Sequence, residues 1–280
     1  MDHQYTPLDS TQHRQHGWKR QPNFLFAQTD VCAPVLLAEI PYASAIYVLG
    51  FAQRPAGGYQ LVALQGLRPG ENLFVDSAGR WLREYVPSHY QAYPFRILQG
   101  QQGGQTIHLL GFDRASGLYR EQPDPEKAEE RFFDDAGELQ PLTQKMVEFL
   151  QARTKSEQRT QRAVDALDAA HLLEPWPLPV EDPNPDPSRA LLTGLNRISQ
   201  GALNALDATA LHQLRDTGAL AIAYAQLFCQ PRLGYLRQLD AVKHPKAAAP
   251  QADTLPASLD SLFAANPGGS LHFDDGSKQD

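Results

Sequence analysis

Short apolar runs separated by turn residues fill the chain from about residue 24 to residue 112. Examples are PVLLAEIPY, AIYVLGF, YQLVALQGL and QTIHLLGF, with RPAGG, DSAGR and QGQQGGQ between such runs. β-Branched and aromatic runs with Gly and Asp between them are typical of antiparallel strands. PAGG, DSAG and the Gly-rich loop at 99–105 are predicted as hairpin turns, because glycine readily adopts the positive φ that they need. One helix is predicted to interrupt this region at 81–86, ending before Pro87.

Helical spacing replaces this pattern after Pro141, a residue that suits the first turn of a helix. Apolar residues recur at intervals of three and four up to about residue 171. The middle of this segment, ARTKSEQRTQR, is polar on every side. Because thirty helical residues would extend about 45 Å, we expect the helix to leave the core or to break there. A second helical region follows from 203, with Asp207 as a predicted N-cap and Gly218 as a stop.

This order of elements predicts an α+β fold, with an antiparallel, β-rich N-terminal lobe packed against a helical C-terminal half. The apolar face of the sheet needs a cover, and the helices from 141 and from 203 are the candidates. The expected organisation is an extended lead-in at 1–22, a single domain at 23–243 and a low-complexity, largely disordered tail at 244–280.

Composition excludes several classes of protein. The chain has 280 residues, of which 42% are hydrophobic, so it can bury a sizeable core. The net charge of −7 argues against a nucleic-acid partner. Two cysteines, Cys32 and Cys229, are too few for a disulfide scaffold. Apolar stretches are too short for a membrane span. The polar N-terminus lacks the apolar core of a secretory signal, so we expect a cytoplasmic protein.

Motifs that would identify a reaction are not found. The sequence contains neither a Walker loop, nor G-x-G-x-x-G, nor a G-x-S-x-G elbow. His13 and His16 have helical spacing but no obvious third ligand. His272-Phe273-Asp274 has the spacing used by non-haem iron sites, but it lies in the tail. The sequence therefore predicts no catalytic residue, no metal ligand and no cofactor, and it favours a protein without catalytic activity. A metal-dependent enzyme with dispersed ligands is the alternative.

The segment GENLFVDSAGRWLREYVPSHYQAYPFRIL, residues 70–98, has the highest density of aromatic residues. One interpretation is a hairpin packed against a helix, with tyrosine hydroxyls at its edge. The other is a groove that binds a peptide or another protein. The candidate binding residues in this segment are Glu71, Asn72, Arg80, Trp81, Tyr85, Tyr90, Tyr93 and Phe95.

Several phrases of this sequence resemble the SapC family, which takes its name from surface-layer gene clusters. They include LLAEIPYAS at 36–44, LVALQGLRPGENLFVDSAGRWLREYVPSHYQAYPFRIL at 61–98 and FFDDAGELQPLTQKMVEFL at 132–150. LTGLNRIS at 192–199 and LNALDATALHQLRDTGALAIAYAQLF at 203–228 complete the match, which covers roughly residues 5–240. At Gln226-Leu227 this chain departs from the His-Leu pair of many relatives, which argues against a histidine-dependent function there.

The resemblance implies a role in cell-envelope systems. Members are often encoded near TonB-dependent receptors, tryptophan-halogenase-like flavoproteins and cupin-like hydroxylases. We therefore expect an accessory protein that recognises an envelope protein or its modifying enzyme, either halogenase-like or cupin-like. Self-association is the other expected interaction. The alternatives are an enzyme or enzyme subunit that modifies envelope proteins, and a structural component of the surface layer. The family has no established catalytic residues to transfer.

The tail contains two apolar clusters in a polar context. Leu259, Leu262 and Phe263 would lie on one face of a single helical turn, a usual pattern for docking into a groove. Exposed apolar side chains gain nothing in water. We therefore predict that this segment is ordered by contact with its own domain, with a second copy or with a partner.

Overall fold

The computed structural model describes residues 4–20, 23–178 and 192–245 of the chain. Residues up to Lys243 belong to one compact unit. Every strand pair in the described part is antiparallel, and the longer helices all begin at Pro141 or later. The predicted α+β fold is therefore confirmed. The predicted docking residues Leu259, Leu262 and Phe263 lie outside the described residues.

A five-stranded sheet organises the largest core. Its strands are β3 (Cys32–Pro34), β4 (Val48–Gln53), β5 (Tyr59–Leu64), β10 (Leu173–Pro175) and β11 (Leu195–Ile198). Their spatial order is β10-β11-β4-β5-β3. The strands β4 and β5 form the predicted hairpin around PAGG, with Gln53 opposite Tyr59. The strand β3 pairs only with the second half of β5, from Val62 to Leu64.

Two smaller sheets contain the remaining strands. The hairpin sheet has the order β1-β7-β6 and consists of β1 (Tyr5–Pro7), β6 (Phe95–Gln102) and β7 (Gln105–Asp113). The third sheet has the order β8-β2-β9, formed by β2 (Gly17–Lys19), β8 (Tyr119–Arg120) and β9 (Glu129–Arg131). Both β1 and β2 come from the segment predicted as an extended lead-in, so that segment contributes strands to two sheets.

The helices are α1 (Ile40–Ile46), α2 (Ser88–Gln91), α3 (Pro141–Ala169), α4 (Gln200–Asn204), α5 (Ala208–Thr217), α6 (Ala219–Cys229) and α7 (Arg232–Lys243). As predicted, Asp207 caps α5 by accepting a hydrogen bond from the Ala210 amide at 2.8 Å. Gly218 ends α5 in the left-handed conformation, with φ of 81°. Among the described residues, no helix combines the length and the apolar composition that a membrane span requires.

The long helix α3 joins two hydrophobic cores. Ala163, Val164 and Leu167, near its C-terminus, pack into the core of the five-stranded sheet and of α5, α6 and α7. Leu150, nearer its N-terminus, packs with Phe95, Phe112 and other aromatic residues of the second core. The helix therefore crosses from one sheet to the other, and its polar middle lies between the two cores.

One local prediction is wrong, and an expectation with two alternatives is decided. Residues 81–86 are not helical, because Trp81 forms an antiparallel bridge with Val75 and the Leu82 amide donates to Phe74 O at 2.9 Å. These bonds close the predicted DSAG turn and leave too little chain for a helix before Pro87. Of the two alternatives for α3, the helix does not break; its polar middle leaves the core, and its two ends each pack in a core.

Candidate functional site

The aromatic segment 70–98 divides into two parts in the structure. In the first part, the indole nitrogen of Trp81 donates to the Tyr47 hydroxyl at 3.0 Å and to Tyr85 O at 3.1 Å. The Tyr47 hydroxyl in turn donates to Tyr85 O. The Tyr85 hydroxyl donates to Oε1 of Glu39. The polar groups of Trp81 and Tyr85 are thus engaged inside the fold.

The carboxylate of Glu39 is the centre of this network. Glu39 is only 6% exposed. It accepts hydrogen bonds from the Leu36 amide at 2.9 Å, from the Ser88 amide at 2.8 Å and from the Ser88 hydroxyl at 3.0 Å, besides the Tyr85 hydroxyl. Burial, and then the hydrogen bond to Glu39, raise the pKa of Tyr85 well above its ordinary value. The network joins the turn before α1 to α2 and to the segment at 81–85.

The side chain of Asn72 is also buried and bonded within the protein, so its role is structural. Its side chain is fully buried, and its amide nitrogen donates to Ala27 O at 3.0 Å and to Gln65 Oε1 at 2.6 Å. Its amide oxygen accepts from the Phe74 amide at 2.9 Å. Each polar atom of this side chain therefore has a partner within the protein, and the bonds fix the path of the chain after β5.

The two charged candidates of this segment form ion pairs. Glu71 Oε1 lies 3.0 Å from Lys243 Nζ in α7. Arg80 Nε lies 2.8 Å from Asp76 Oδ2 across the DSAG turn, and the Arg80 side chain is 79% exposed. An exposed pair of this kind contributes little to stability. Neither residue lines the cleft to which Tyr90, Tyr93 and Phe95 of the same segment contribute.

The second part of the segment contributes Tyr90, Tyr93 and Phe95 to a cleft of about 780 Å³. One wall is β6. The opposite wall is the five-stranded sheet, through Pro34 of β3 and Gln60 of β5. The floor is the polar middle of α3. Other residues that line the cleft are Tyr5, Asp30, Arg54, His89, Arg96, Ile97, Gln99, His108, Arg153, Thr154, Glu157 and Gln158.

The aromatic wall of the cleft is rigidly held. The ring of Tyr93 stacks on Phe26, with centroids 4.0 Å apart and an interplanar angle of 14°. The Tyr93 hydroxyl lies 3.4 Å from Asp113 Oδ2. Burial, and then the nearby Asp113 carboxylate, raise the pKa of Tyr93 to about 12. Tyr90 is 3% exposed and donates to Gln65 Oε1 at 3.0 Å. Both phenols therefore stay neutral near pH 7.

The floor of the cleft carries a largely buried cation. The Arg153 side chain is 13% exposed, and its Nη1 lies 2.5 Å from Glu157 Oε1, one helical turn away. Its Nε is buried and has no hydrogen-bond partner among the described residues. Buried N–H groups are usually bonded, so this N–H is an unsatisfied donor in a residue that lines the cleft.

Positive charge exceeds negative charge along the lining. The positively charged lining residues are Arg54, Arg96 and Arg153, and the negatively charged ones are Asp30 and Glu157. The Arg96 guanidinium lies over the Tyr5 ring, 5.6 Å from its centroid. Arg54 and Arg96 have no carboxylate within 4.0 Å among the described residues. The cleft is therefore locally basic in a protein whose net charge is −7.

Residues of the metal-ligating types also line the cleft, namely Asp30, His89, His108 and Glu157. Within the described part of the chain, no three of their ligand atoms converge to within 4.8 Å of one another. The His13 and His16 rings lie elsewhere, 5.5 Å apart, and His16 Nδ1 is bonded to the Tyr119 hydroxyl at 2.5 Å. Burial raises the pKa of the Cys229 thiol to about 11, so that thiol is not ionised near pH 7.

Sequence reasoning missed both Glu39 and Arg153. Glu39 lies in an apolar phrase, LLAEIPY, and an isolated acid between apolar residues is the available signal. Arg153 lies in the polar run ARTKSEQRTQR, inside a helix whose two ends are apolar. That contrast is present in the sequence, but a helix that leaves the core would show the same polar middle.

The fold and the cleft define an α+β protein in which a long helix passes under a tyrosine- and arginine-lined opening beside a sheet edge. The family model named SapC matches residues 8–236. The chain therefore belongs to the SapC family, as its phrases indicated. No curated protein and no solved structure is significantly similar to it.

Proposed function

We propose that this SapC-family protein is a non-catalytic accessory protein that recognises a segment of another protein in the cleft. The observation that carries the proposal is the cleft itself, with its stacked tyrosine, its three arginines and the unpartnered Arg153 Nε. A volume of about 780 Å³ lies within the range of ligand sites. Tyrosine and arginine are the residues that most often dominate recognition surfaces.

The rigidity of the cleft supports recognition. Gln65 and Asp113 hold the hydroxyls of Tyr90 and Tyr93, and Phe26 holds the ring of Tyr93. A side chain that is already ordered loses little conformational entropy on binding, so more of the interaction energy appears as affinity. The bonds inside the fold therefore contribute to the proposed role by placing these rings before a ligand arrives.

The proposed partners belong to cell-envelope systems. They are a surface-layer protein or a TonB-dependent receptor, or a halogenase-like or cupin-like enzyme that modifies one. We place this recognition in the cytoplasm, where an envelope precursor is accessible before export. The family context supports this choice of partners, and the basic aromatic cleft supports binding of a protein segment.

The proposal is tested by co-expression with each envelope protein or modifying enzyme that is found to be encoded beside the gene. We expect one of them to co-elute with the wild-type protein, and Tyr93→Ala to abolish co-elution. Arg80→Ala is the matched control, because Arg80 lies in the same segment but outside the cleft. Failure of every neighbour to co-elute with the wild type would refute the proposal, as would binding that Tyr93→Ala leaves intact.

Two other roles predict different results. A metal-dependent enzyme would contain stoichiometric iron or zinc when purified without a tag, and elemental analysis would detect it. A structural component of the surface layer would be found in the outer fraction of the cells. Either result would contradict the proposed accessory role and support the corresponding alternative.

A further inference from the structure

The strand β6 has one unpaired edge, and the register of its hairpin shows which groups that edge presents. Gly103 and Gly104 form the two-residue turn between β6 and β7, both with positive φ, and Gln102 is opposite Gln105. A hairpin of this type closes on a hydrogen-bonded pair, after which bonded and non-bonded pairs alternate. The bonded positions of β6 are therefore the even-numbered ones.

Two bonds at the other end confirm this alternation. The Asp113 amide donates to Pro94 O at 2.9 Å, as it must when Phe95 and Phe112 form a non-bonded pair. On the outer side of β7, the Leu8 amide donates to Leu110 O at 2.7 Å, so Leu110 also faces away from β6. The odd-numbered residues of β6 consequently direct their N–H and C=O groups away from β7.

Three of these residues define what we call the β6 edge: the backbone N–H and C=O groups of Ile97, Gln99 and Gln101. Among the described residues, no backbone group bonds to them. Phe95, the remaining odd-numbered residue, already donates its amide to Ala92 O at 2.8 Å. The β6 edge thus presents a short row of alternating donors and acceptors, which is what an added strand needs.

The β6 edge lies along the cleft. Side chains of consecutive strand residues point to opposite faces of a sheet. Both Arg96, on one face, and Ile97, on the other, line the cleft. The cleft is therefore lined from both faces of β6 near the start of the strand, next to the edge between them. Gln60 and Leu61 of β5 line the opposite wall, so an extended chain in the cleft would lie between two sheets.

We infer that the cleft binds an extended acidic peptide segment of a partner protein, added as a strand to the β6 edge. The charge of the lining selects the occupant, because Arg54, Arg96 and Arg153 outnumber Asp30 and Glu157. Carboxylates are natural acceptors for guanidinium groups. This inference rests on the proposed recognition role and adds the mode of binding and the chemistry of the ligand.

The experiment begins with a random heptapeptide library displayed on phage and selected on the full-length wild-type protein. We expect selected sequences to be enriched in Asp and Glu and to lack proline at their centre. A selected peptide is then synthesised with a fluorescent label, and its affinity is measured by anisotropy at low and high salt. The affinity should fall as salt rises, since exposed charges are screened. No selected binder, or binders without acidic residues, would overturn the inference.

A substitution that removes one backbone N–H group tests whether the peptide binds to the β6 edge. Gln99→Pro removes an N–H that β7 does not use, and proline is tolerated on a free strand edge. We expect this substitution to lower the affinity for the labelled peptide about tenfold, which corresponds to the loss of roughly one ordinary hydrogen bond. Gln99→Ala also removes the side chain but keeps the N–H, so the difference in affinity between the two variants isolates that one backbone bond. Equal affinity of Gln99→Pro and Gln99→Ala would contradict strand addition.

Hydrogen exchange on the wild type gives an answer even if Gln99→Pro does not fold. The added peptide should slow exchange of the Ile97, Gln99 and Gln101 amides, and leave unchanged the Ile198 amide of β11, a strand that does not line the cleft. Unaltered exchange at the β6 edge with the peptide bound would refute the inference. The outcome is separable from the proposed function: a genomic partner that co-elutes equally with Gln99→Pro would leave the accessory role intact and remove only the strand-edge mode.

Discussion

Ser88 donates two hydrogen bonds to Glu39, one from its amide at 2.8 Å and one from its hydroxyl at 3.0 Å. Residues 49 positions apart are thereby held at one buried carboxylate. The same carboxylate accepts from Tyr85 and from Leu36. The helix α2, which contains Tyr90 of the aromatic wall of the cleft, is thus anchored to the turn that precedes α1.

Replacement of Glu39 by Gln should destabilise the protein. The new amide nitrogen would face N–H or O–H donors in place of an acceptor, whichever way the side chain turns. We expect a loss of about 2–3 kcal/mol in the free energy of unfolding, measured by urea denaturation. Glu84→Gln, an exposed change in the neighbouring segment, is the control and should cost below about 0.5 kcal/mol. Equal unfolding curves for the two variants would show that the Glu39 network is not stabilising.

Asn72→Asp tests the second buried network. The side-chain nitrogen of Asn72 donates to two carbonyl oxygens, and an aspartate oxygen in its place would repel both. Because the site is fully buried, we expect a cost of about 3 kcal/mol or more. The matched control is Asn23→Asp, where the side-chain oxygen accepts from the Leu25 amide and an aspartate can do the same. Thermal unfolding of both variants would show the difference, and a similar decrease in Tm would contradict this account of Asn72.

The local parts of the fold were predictable from the sequence. The β4–β5 hairpin, the turn at 103–104 and the start of α3 at Pro141 depend on residues close together in the chain. Glycine at a turn and proline at a first helical position act through local backbone geometry. The wrong prediction of a helix at 81–86 shows the limit of such reasoning. The bridge between Val75 and Trp81 engages backbone groups that a helix would need.

The cleft could not be predicted in the same way. A helix face that lines a polar cleft has the same composition as one that faces solvent, so ARTKSEQRTQR was compatible with either. Only the positions of β5 and β6 on either side of α3 decide between them. Likewise, spacing could not show which tyrosines are tied to Glu39 and which line the cleft, because Glu39 and Tyr85 are 46 residues apart.

Thr160→Val should loosen the contact between α3 and the wall of the cleft. The Thr160 hydroxyl accepts from the Leu37 amide at 2.8 Å and donates to Ser156 O at 2.8 Å. Valine keeps the shape but leaves the Leu37 amide without its partner, and we expect a cost of about 1–3 kcal/mol. Thr154→Val on the same helix removes only a bond to Leu150 O and should cost below about 1 kcal/mol. If urea unfolding showed a larger loss of stability for Thr154→Val than for Thr160→Val, the stabilising role of the Leu37–Thr160 hydrogen bond would be contradicted.

The stability of the protein should fall steeply at alkaline pH. Burial raises the pKa of Tyr47, Tyr85, Tyr90 and Tyr93 above the ordinary value of 10.0. In the unfolded chain the same phenols ionise near pH 10, so the unfolded state releases protons that the folded state keeps. The contribution of these groups is therefore fully present below about pH 10 and is lost as the pH rises through the folded pKa values.

Two measurements check this expectation. The free energy of unfolding from urea curves should be level up to about pH 9.5 and should then decrease towards pH 12, where Tyr93 itself titrates. Absorbance at 295 nm should show that part of the ten tyrosines stays neutral at pH 11 while the protein is folded. Tyr93→Phe should make the decrease less steep, because one phenol no longer contributes a difference in proton binding. If all ten phenols titrated near pH 10 in the folded protein, the tyrosine wall of the cleft would be open to water, contrary to its burial in this structure.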